Sequence, residues 1–128
     1  MRLLLDTHAF LWWITDDPHL SDRARALIGE GGNEVFLSAA SAWELVVKAS
    51  LRRVETVQPL ERFVPDQLER NGFQALPVLL RHALALPDLP PLHRDPFDRM
   101  LVAQALTEEM TLVSADREIR RYPVPVAW

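Results

Sequence analysis

Acidic residues that follow short apolar runs are the part of this sequence best suited to do chemistry. Asp6 comes directly after the run 3–5, and Asp116 comes two residues after a second run that ends at Ser114. Asp98 lies near the start of a helix-like stretch that leads into that second run. Carboxylates that meet at one place repel each other, so that either a pKa rises or a cation binds. Oxygen ligands in a chain without Cys favour Mg²⁺ or Mn²⁺ over zinc.

Glu44 is a fourth acid of interest, because its neighbours in the sequence, Trp43 and Leu45, are apolar. A carboxylate in apolar surroundings needs a partner or a metal ion. Lys48 follows four residues later and could be that partner in a helical ion pair. Asp6 and Asp116 could likewise be N-caps of the helical segments that follow them. Spacing alone leaves the structural and the chemical roles of these acids open.

The segment 95–98 reads as a helix start, with an acid as cap, proline at the first helical position and a second acid two residues later. Asp95 is therefore expected to be the helix cap, with its carboxylate turned back onto backbone N–H groups. Asp98 is expected to project sideways, towards the other acids.

Short apolar segments alternate with helical segments along the chain. Strands are predicted at residues 2–5, 35–37, 73–76, 111–114 and 124–127, the last as an edge strand because of Pro125. Helices are predicted at residues 7–14, after Ser21, from about 38 to 50, and at 60–71, 79–86 and 96–109, with a break at Pro65 and a helical turn at 117–121. This order predicts an α/β fold with a parallel sheet covered on both faces.

A parallel sheet places the ends of its strands together, and ligands bind beyond those ends. Asp6 and Asp116 should therefore share one edge of the sheet. Asp98 should join them, because its helix runs antiparallel to the strand that follows and so begins where that strand ends.

The composition fits one folded domain over residues 1–128 without Cys, which excludes thiol nucleophiles and Cys-ligated metal centres. The longest apolar run, 9–14, is too short to span a membrane. We expect no membrane partner, no secretory signal and a cytoplasmic location. The net charge of −4 argues against a basic, sequence-blind nucleic-acid binder. Without Asp6, Glu44, Asp98 and Asp116 the chain would have 14 acids, 18 minus 4, against 14 Lys and Arg.

Four segments together resemble the successive motifs of the PIN-domain nucleases, above all the VapC toxins of bacterial toxin–antitoxin pairs. They are DTHAFLWW (6–13), SAASAWE (38–44), HRDPFDR (93–99) and LVSAD (112–116). The resemblance runs over nearly the whole chain. It implies a three-layer α/β/α sandwich with a central, mostly parallel sheet, and Mg²⁺- or Mn²⁺-dependent hydrolysis of RNA phosphodiester bonds. It also implies a cognate antitoxin protein as partner, and a homodimer.

The resemblance assigns roles to individual residues. The catalytic and metal-binding carboxylates would be those of Asp6, Glu44, Asp98 and Asp116. Hydrogen bonds that orient these carboxylates are expected from Thr7, Ser38, Ser41, Asp95 and Ser114. Arg94, Arg99 and Arg117 are candidate contacts to substrate phosphate. His8 and His93 are expected to lie outside the ligand set, on a helix face or a loop. The sequence departs from related chains at the turn after the Lys48 helix, where Leu51-Arg52-Arg53 replaces a common Gly.

Metal ions could lower the pKa of water, clamp the phosphate and orient the leaving oxygen. Asp6 and Asp98 would hold the main ion. Glu44 and Asp116 would complete the charge, position water or hold a second ion, and one carboxylate could act as general base.

Other functions remain open alternatives. One is a catalytically silent PIN-like module that only binds RNA or protein. A receiver-like signalling domain is less favoured, because no acid follows the third predicted strand and no lysine follows Lys48. A haloacid-type phosphatase would need an acid where His8 stands. The adjacent Trp12 and Trp13 could anchor an interface or pack within the monomer.

Overall fold

The computed structural model describes residues 1–51, 56 and 58–128. The departure noted at Arg52 and Arg53 lies outside the described residues. Across the part of the chain that is described, no helix has both the length and the apolar character needed to cross a bilayer.

A five-stranded sheet forms the centre of the fold. Its strands are β1 (Arg2–Leu5), β2 (Glu34–Ser38), β3 (Gln74–Leu76), β4 (Thr111–Val113) and β5 (Val126–Ala127). They lie in the order β3-β2-β1-β4-β5, and each neighbouring pair is parallel. The prediction of a parallel sheet with the last strand at an edge is therefore confirmed. The apolar β1 lies at the middle of the sheet, directly beside β2 and β4.

Six α-helices are described, and each lies close to a predicted helical segment. They are α1 (Thr7–Ile14), α2 (Asp22–Gly29), α3 (Ala39–Ser50), α4 (Leu60–Asn71), α5 (Leu80–Ala85) and α6 (Pro96–Glu108). Two 3₁₀ turns are also described. The first, Leu86–Asp88, directly follows α5, and the second, Ile119–Arg121, lies within the predicted turn at 117–121. Side chains cap four of the helices at their first turn: Asp6, Ser21, Ser38 and Asp95.

The predicted break at Pro65 is wrong, because α4 continues through it. Proline removes the N–H that would bond to the carbonyl of Glu61, at a cost of about 3 kcal/mol in a helix interior. Both residues are exposed, so water can satisfy that carbonyl. On the opposite side of α4, Val64 is buried in the core, with Phe63 and Leu68 packed against it. Tertiary packing of this face offsets the local cost.

Apolar layers cover both faces of the sheet. Leu3 and Leu5 of β1 pack with Phe10 and with residues of α2, α3 and α4. Leu4, which points the other way, packs with Leu101 of α6 and with residues around α5. Alternation along β1 thus builds two separate cores. The three-layer α/β/α arrangement implied by the resemblance is confirmed.

Trp12 and Trp13 both contact other parts of the same chain. The indole N–H of Trp13 donates to Asn71 Oδ1 over 2.9 Å, and its ring packs against Phe73 with centroids 6.2 Å apart. Trp12 lies within 5.8 Å, between ring centroids, of Trp128. The structure therefore favours packing within the monomer for both indoles.

Candidate active site

The carboxyl ends of the strands bring the four predicted acids together. Asp6 and Asp116 follow the neighbouring parallel strands β1 and β4. Glu44 comes from α3, which starts at the end of β2, and Asp98 from the first turn of α6. All four line one cavity of about 90 Å³, which is completed by Thr7, His8, Lys48 and Asp95. The antiparallel course of α6 relative to β4 delivers Asp98 to this edge, as the sequence predicted.

Asp6 is both a helix cap and a wall of this cavity. Its side chain is only 6% exposed, and Oδ1 accepts a hydrogen bond from the backbone N–H of Ala9 over 2.7 Å. Burial raises the pKa of Asp6 above its ordinary value, although hydrogen bonds from the Ser114 hydroxyl and the Ala9 amide act in the opposite direction. The capping role and the site role are therefore compatible.

Glu44 has partners for both carboxylate oxygens. Thr7 Oγ1 donates to Oε1 over 2.5 Å, and Lys48 Nζ lies 2.9 Å from Oε2. The helical ion pair that the spacing allowed is thus present, although Glu44 also lines the acidic cavity. These two contacts explain how a carboxylate that is 7% exposed is accommodated beside apolar neighbours.

Asp98 also has a strongly perturbed carboxyl group. Burial raises the pKa of Asp98 to about 8, with further increases from Asp95, Asp116, Glu44 and Asp6, in decreasing order. His93 Nε2 is 3.4 Å from Asp98 Oδ2, a long contact. Without a cation, the Asp98 carboxyl group is therefore largely protonated at neutral pH.

Asp95 occupies the cap of α6, as predicted. Its Oδ1 accepts from the backbone N–H groups of Phe97 at 2.9 Å and Asp98 at 3.1 Å. Asp116 is more exposed, and its Oδ1 accepts from the backbone N–H of Glu118 over 2.8 Å. Both residues line the cavity while serving the backbone.

The hydroxyl groups expected to orient the carboxylates divide into two pairs. Thr7 and Ser114 contact Glu44 and Asp6 as described above. Ser38 does not contact a carboxylate: its hydroxyl donates to Gln104 Oε1 over 2.5 Å and accepts from the Ala40 amide. The expectation for Ser38 is corrected accordingly, because its buried position faces α6 rather than the cavity.

Ser41 also lacks a contact to a carboxylate. Its Oγ is buried and has no hydrogen-bond partner in the part of the chain that the structure describes. The expected orienting role is therefore not seen for Ser41.

The three candidate arginines differ in what their guanidinium groups contact. Arg99 donates to the carbonyl of Pro90 and to the hydroxyl of Tyr122, each over 2.9 Å. These contacts hold it within the fold, so the expected phosphate contact is corrected for Arg99. Arg94 and Arg117 are exposed and make no side-chain hydrogen bond to any described residue.

The donor set suits a hard divalent cation, although the side chains are not arranged as ligands. Among residues 1–51, 56 and 58–128, no three His, Asp or Glu side chains form a group that could hold a metal ion as they stand. The contacts explain this, since Glu44 is turned to Lys48, and Asp95 and Asp116 to backbone amides. Clustered, partly buried carboxylate oxygens nevertheless fit Mg²⁺ or Mn²⁺.

Two cavity residues were not assigned to the site from the sequence. Lys48 was considered only as a helical partner of Glu44, and His8 was expected on a helix face. Both line the cavity. Their positions relative to the acids could have indicated this, because His8 is two residues beyond Asp6, in the first turn of α1, and Lys48 is one turn beyond Glu44.

Comparison with known proteins gives consistent matches over the whole chain. The family model described as PIN domain matches residues 3–125. Ribonuclease VapC22 of Mycobacterium tuberculosis (strain ATCC 25618 / H37Rv) is 32% identical over 127 residues, which covers 97% of this chain and 95% of the relative.

Solved structures with a similar fold include two VapBC assemblies. VapBC2 from Rickettsia felis, bound to a DNA fragment from their promoter, matches with a TM-score of 0.73 at 16% identity, over 99% of this chain and 98% of that chain. DNA-bound VapBC from Salmonella typhimurium matches with a TM-score of 0.68 at 16% identity, over 99% and 97% of the two chains. At these identities the match establishes the fold.

Asp98→Asn is expected to stabilise the protein in the presence of a chelator, because it removes a carboxyl group held among other carboxylates. In the unfolded chain this group ionises near its ordinary pKa of about 4, whereas in the folded protein its pKa is about 8. Wild-type stability should therefore fall as pH rises through that interval. After solvent screening, the gain from Asn should be slight at about pH 5 and about 1–3 kcal/mol at about pH 9.

Urea unfolding at the two pH values measures this gain. Asp88→Asn is the matched control, because Asp88 is exposed and lies outside the acidic cavity. A lower free energy of unfolding for Asp98→Asn at both pH values would show that Asp98 is mainly structural.

Proposed function

This chain belongs to the PIN-domain family and to its VapC branch, and we propose that it is a divalent-metal-dependent ribonuclease of a toxin–antitoxin module. The observation that carries the proposal is the single cavity lined by Asp6, Glu44, Asp98 and Asp116. The relative that matches almost the full chain is named a ribonuclease. The proposed active unit is one domain over residues 1–128.

The acids of the cavity are the proposed ligands. Asp6 and Asp98 would hold Mg²⁺ or Mn²⁺, and Glu44 and Asp116 would complete the negative charge around it. When bound, such an ion activates water and stabilises the charge that develops on a phosphodiester. Burial raises the pKa of both Asp6 and Asp98, and neither carboxyl group forms a salt bridge with a Lys or Arg of the described residues. A bound cation would offset the cost of ionising them, which supports this assignment.

The remaining polar groups set the orientation of the acids and the path of the proton. Ser114 and the Ala9 amide fix Asp6, while Thr7 and Lys48 fix Glu44. Asp116 is the most exposed of the four acids, so its carboxylate is suited to take a proton from water and release it to solvent. Arg94 directly precedes Asp95, and Arg117 directly follows Asp116. Both side chains are exposed, and they are proposed to contact flanking phosphates.

A cognate antitoxin is the proposed protein partner. This proposal is supported by the VapBC assemblies among the similar solved structures. An apolar hollow of about 300 Å³ lies between α3 and α4, lined by Val46, Leu60 and Val64 among others. A hollow of this kind suits apolar side chains of a partner segment.

A homodimer is proposed through the face formed by α5 and Trp43. Leu80 and Leu84 of α5 are 75% and 66% exposed, and Trp43 is 62% exposed. Trp43 also lines an apolar hollow of about 420 Å³ with Val78 and other residues. Large apolar side chains exposed together mark interaction sites, and two copies of one face can cover each other about a twofold axis.

A PIN-like module that binds without cleaving is the second candidate. The observation that favours it is the lack, among the described residues, of three acidic or histidine side chains arranged to hold an ion. The chelator experiment below distinguishes it from the nuclease.

RNA cleavage by the purified protein is expected to stop in EDTA and to return when Mg²⁺ or Mn²⁺ is added in excess. The physical reason is that the carboxylates alone repel the phosphate backbone and supply no cationic charge to it. Gel analysis of an end-labelled RNA measures the result. Asp98→Asn protein, purified in parallel, controls for contaminating ribonuclease. Undiminished cleavage in EDTA would exclude the metal mechanism, and no cleavage under any condition would support the silent module.

Asp95→Ser and Asp98→Ser are expected to separate the helix cap from the metal ligand. Serine caps helices as well as aspartate does, so Asp95→Ser should keep most of the activity. Asp98→Ser should lower kcat/KM roughly 100-fold or more, as the loss of a charge-stabilising group does. Circular dichroism checks that both variants fold. Loss of activity only in Asp95→Ser would mean that Asp95, and not Asp98, is the metal ligand at the start of α6.

Leu84→Arg is expected to shift the protein from dimer to monomer with little change in thermal stability, since the side chain is exposed on α5. Sedimentation velocity measures the change in mass. Glu69→Arg, at an exposed position of α4, is the control and should leave the dimer intact, whereas Val46→Arg tests the apolar hollow between α3 and α4. If Val46→Arg alone dissociates the protein, the dimer uses the other apolar surface.

A further inference from the structure

His8 is the cavity residue whose chemistry the proposed mechanism leaves unused. It lies in the first turn of α1, two residues after Asp6, and its exposed side chain lines the acidic cavity. An imidazole at this position can reach a molecule that enters the cavity.

Stacking fixes the ring of His8 without using its nitrogen atoms. The imidazole stacks on the indole of Trp12, with centroids 5.5 Å apart and planes inclined by 26°. His19 also stacks on Trp12, at 5.3 Å and 23°. Trp12 is thus itself held by a second ring, so that the position of His8 is set from outside the cavity.

His8 differs in this respect from the other histidines of the chain. His19 is bonded to Asp17, His82 accepts from the Leu79 amide, and His93 contacts the Tyr122 hydroxyl at 2.7 Å. Within the described ranges of the chain, His8 forms no hydrogen bond. Its N–H donor is therefore available to a ligand.

The cavity has few donors to offer to an RNA strand. The Lys48 ammonium lies on Glu44, and the Thr7 hydroxyl donates to the same carboxylate. A phosphodiester that enters brings oxygen acceptors to a wall made mostly of acceptors. A neutral imidazole always carries one N–H, so His8 can donate whether or not it is protonated.

We infer that the His8 imidazole donates a hydrogen bond to a phosphate oxygen of the RNA strand at the bond that is cleaved. The inference rests on the proposed ribonuclease function and adds a catalytic residue to the four acids. A fixed donor at that oxygen stabilises its charge without needing to reorient during the reaction. The stack on Trp12 provides that fixed orientation.

His8→Phe tests the donor, because phenylalanine keeps a ring to stack on Trp12 and removes both nitrogen atoms. A hydrogen bond to a charged group contributes about 1.5–3 kcal/mol, so kcat/KM in Mg²⁺ should fall about 10- to 150-fold. His19→Phe is the matched control. It makes the same change on the other ring that stacks on Trp12, outside the cavity, and should keep activity within about twofold.

His8→Gln separates the donor from the ring. Glutamine can donate from a similar distance but cannot stack, so its activity should exceed that of His8→Phe. Equal losses in His8→Phe and His19→Phe, or a Gln variant below the Phe variant, would assign His8 to packing alone and overturn the inference.

RNA binding provides a readout that does not depend on cleavage. Fluorescence anisotropy of a labelled single-stranded RNA in Mg²⁺ compares Asp116→Asn protein, which keeps Asp6 and Asp98 but lacks the proposed proton acceptor, with the same protein that also has His8→Phe. The double variant should bind about tenfold more weakly. A wild-type protein that never cleaves RNA would defeat the proposed function, and the anisotropy result would still decide the contact. Active protein with unchanged cleavage and binding in His8→Phe would defeat the inference alone.

Discussion

Repulsion among carboxylates at one edge of a parallel sheet is the interaction on which the rest of this structure depends. The topology enforces it, because β1 and β4 are neighbours and both end at that edge, where α6 begins. Separate donors stabilise two of these carboxylates. A backbone amide and Ser114 donate to Asp6, and Thr7 and Lys48 contact Glu44. Among the described residues, the Asp98 carboxyl group has only a long contact to His93, so burial first, and repulsion from the neighbouring carboxylates second, raise its pKa.

The helices that carry the acids are held together by a buried polar link. Gln104, fully buried on α6, accepts from Ser38 at the start of α3 over 2.5 Å and donates to the Pro77 carbonyl over 3.2 Å. The two helices that deliver Glu44 and Asp98 are thus joined behind the cavity. Buried polar groups with satisfied partners specify one arrangement of a core. Ser38 therefore acts on the site through the scaffold, rather than by touching a carboxylate.

Features that depend on neighbouring residues were predictable from the sequence, and features that depend on distant partners were not. The Asp95 cap and the Glu44–Lys48 pair join residues within four positions, and both are present. Ser38 and Arg99 were assigned to the site, but their partners lie 66 and 23 residues away. The predicted break at Pro65 was wrong for a related reason, because the packing of α4 outweighs the tendency of proline to interrupt a helix. The resemblance supplied the sandwich fold, while apolar periodicity supplied the order of its strands and helices.

The charge of the cavity also bears on the order in which a cation and an RNA strand would bind to the proposed site. The chain has 18 acidic residues against 14 Lys and Arg, an excess equal to four of the five acids that line the cavity. Lys48 balances one of them, so the cavity keeps a net negative charge unless protons or a cation bind. An RNA phosphate would meet this field before any donor on His8 could hold it. Under the proposed mechanism a divalent cation would therefore bind before the strand or together with it, because a bound ion inverts the local field.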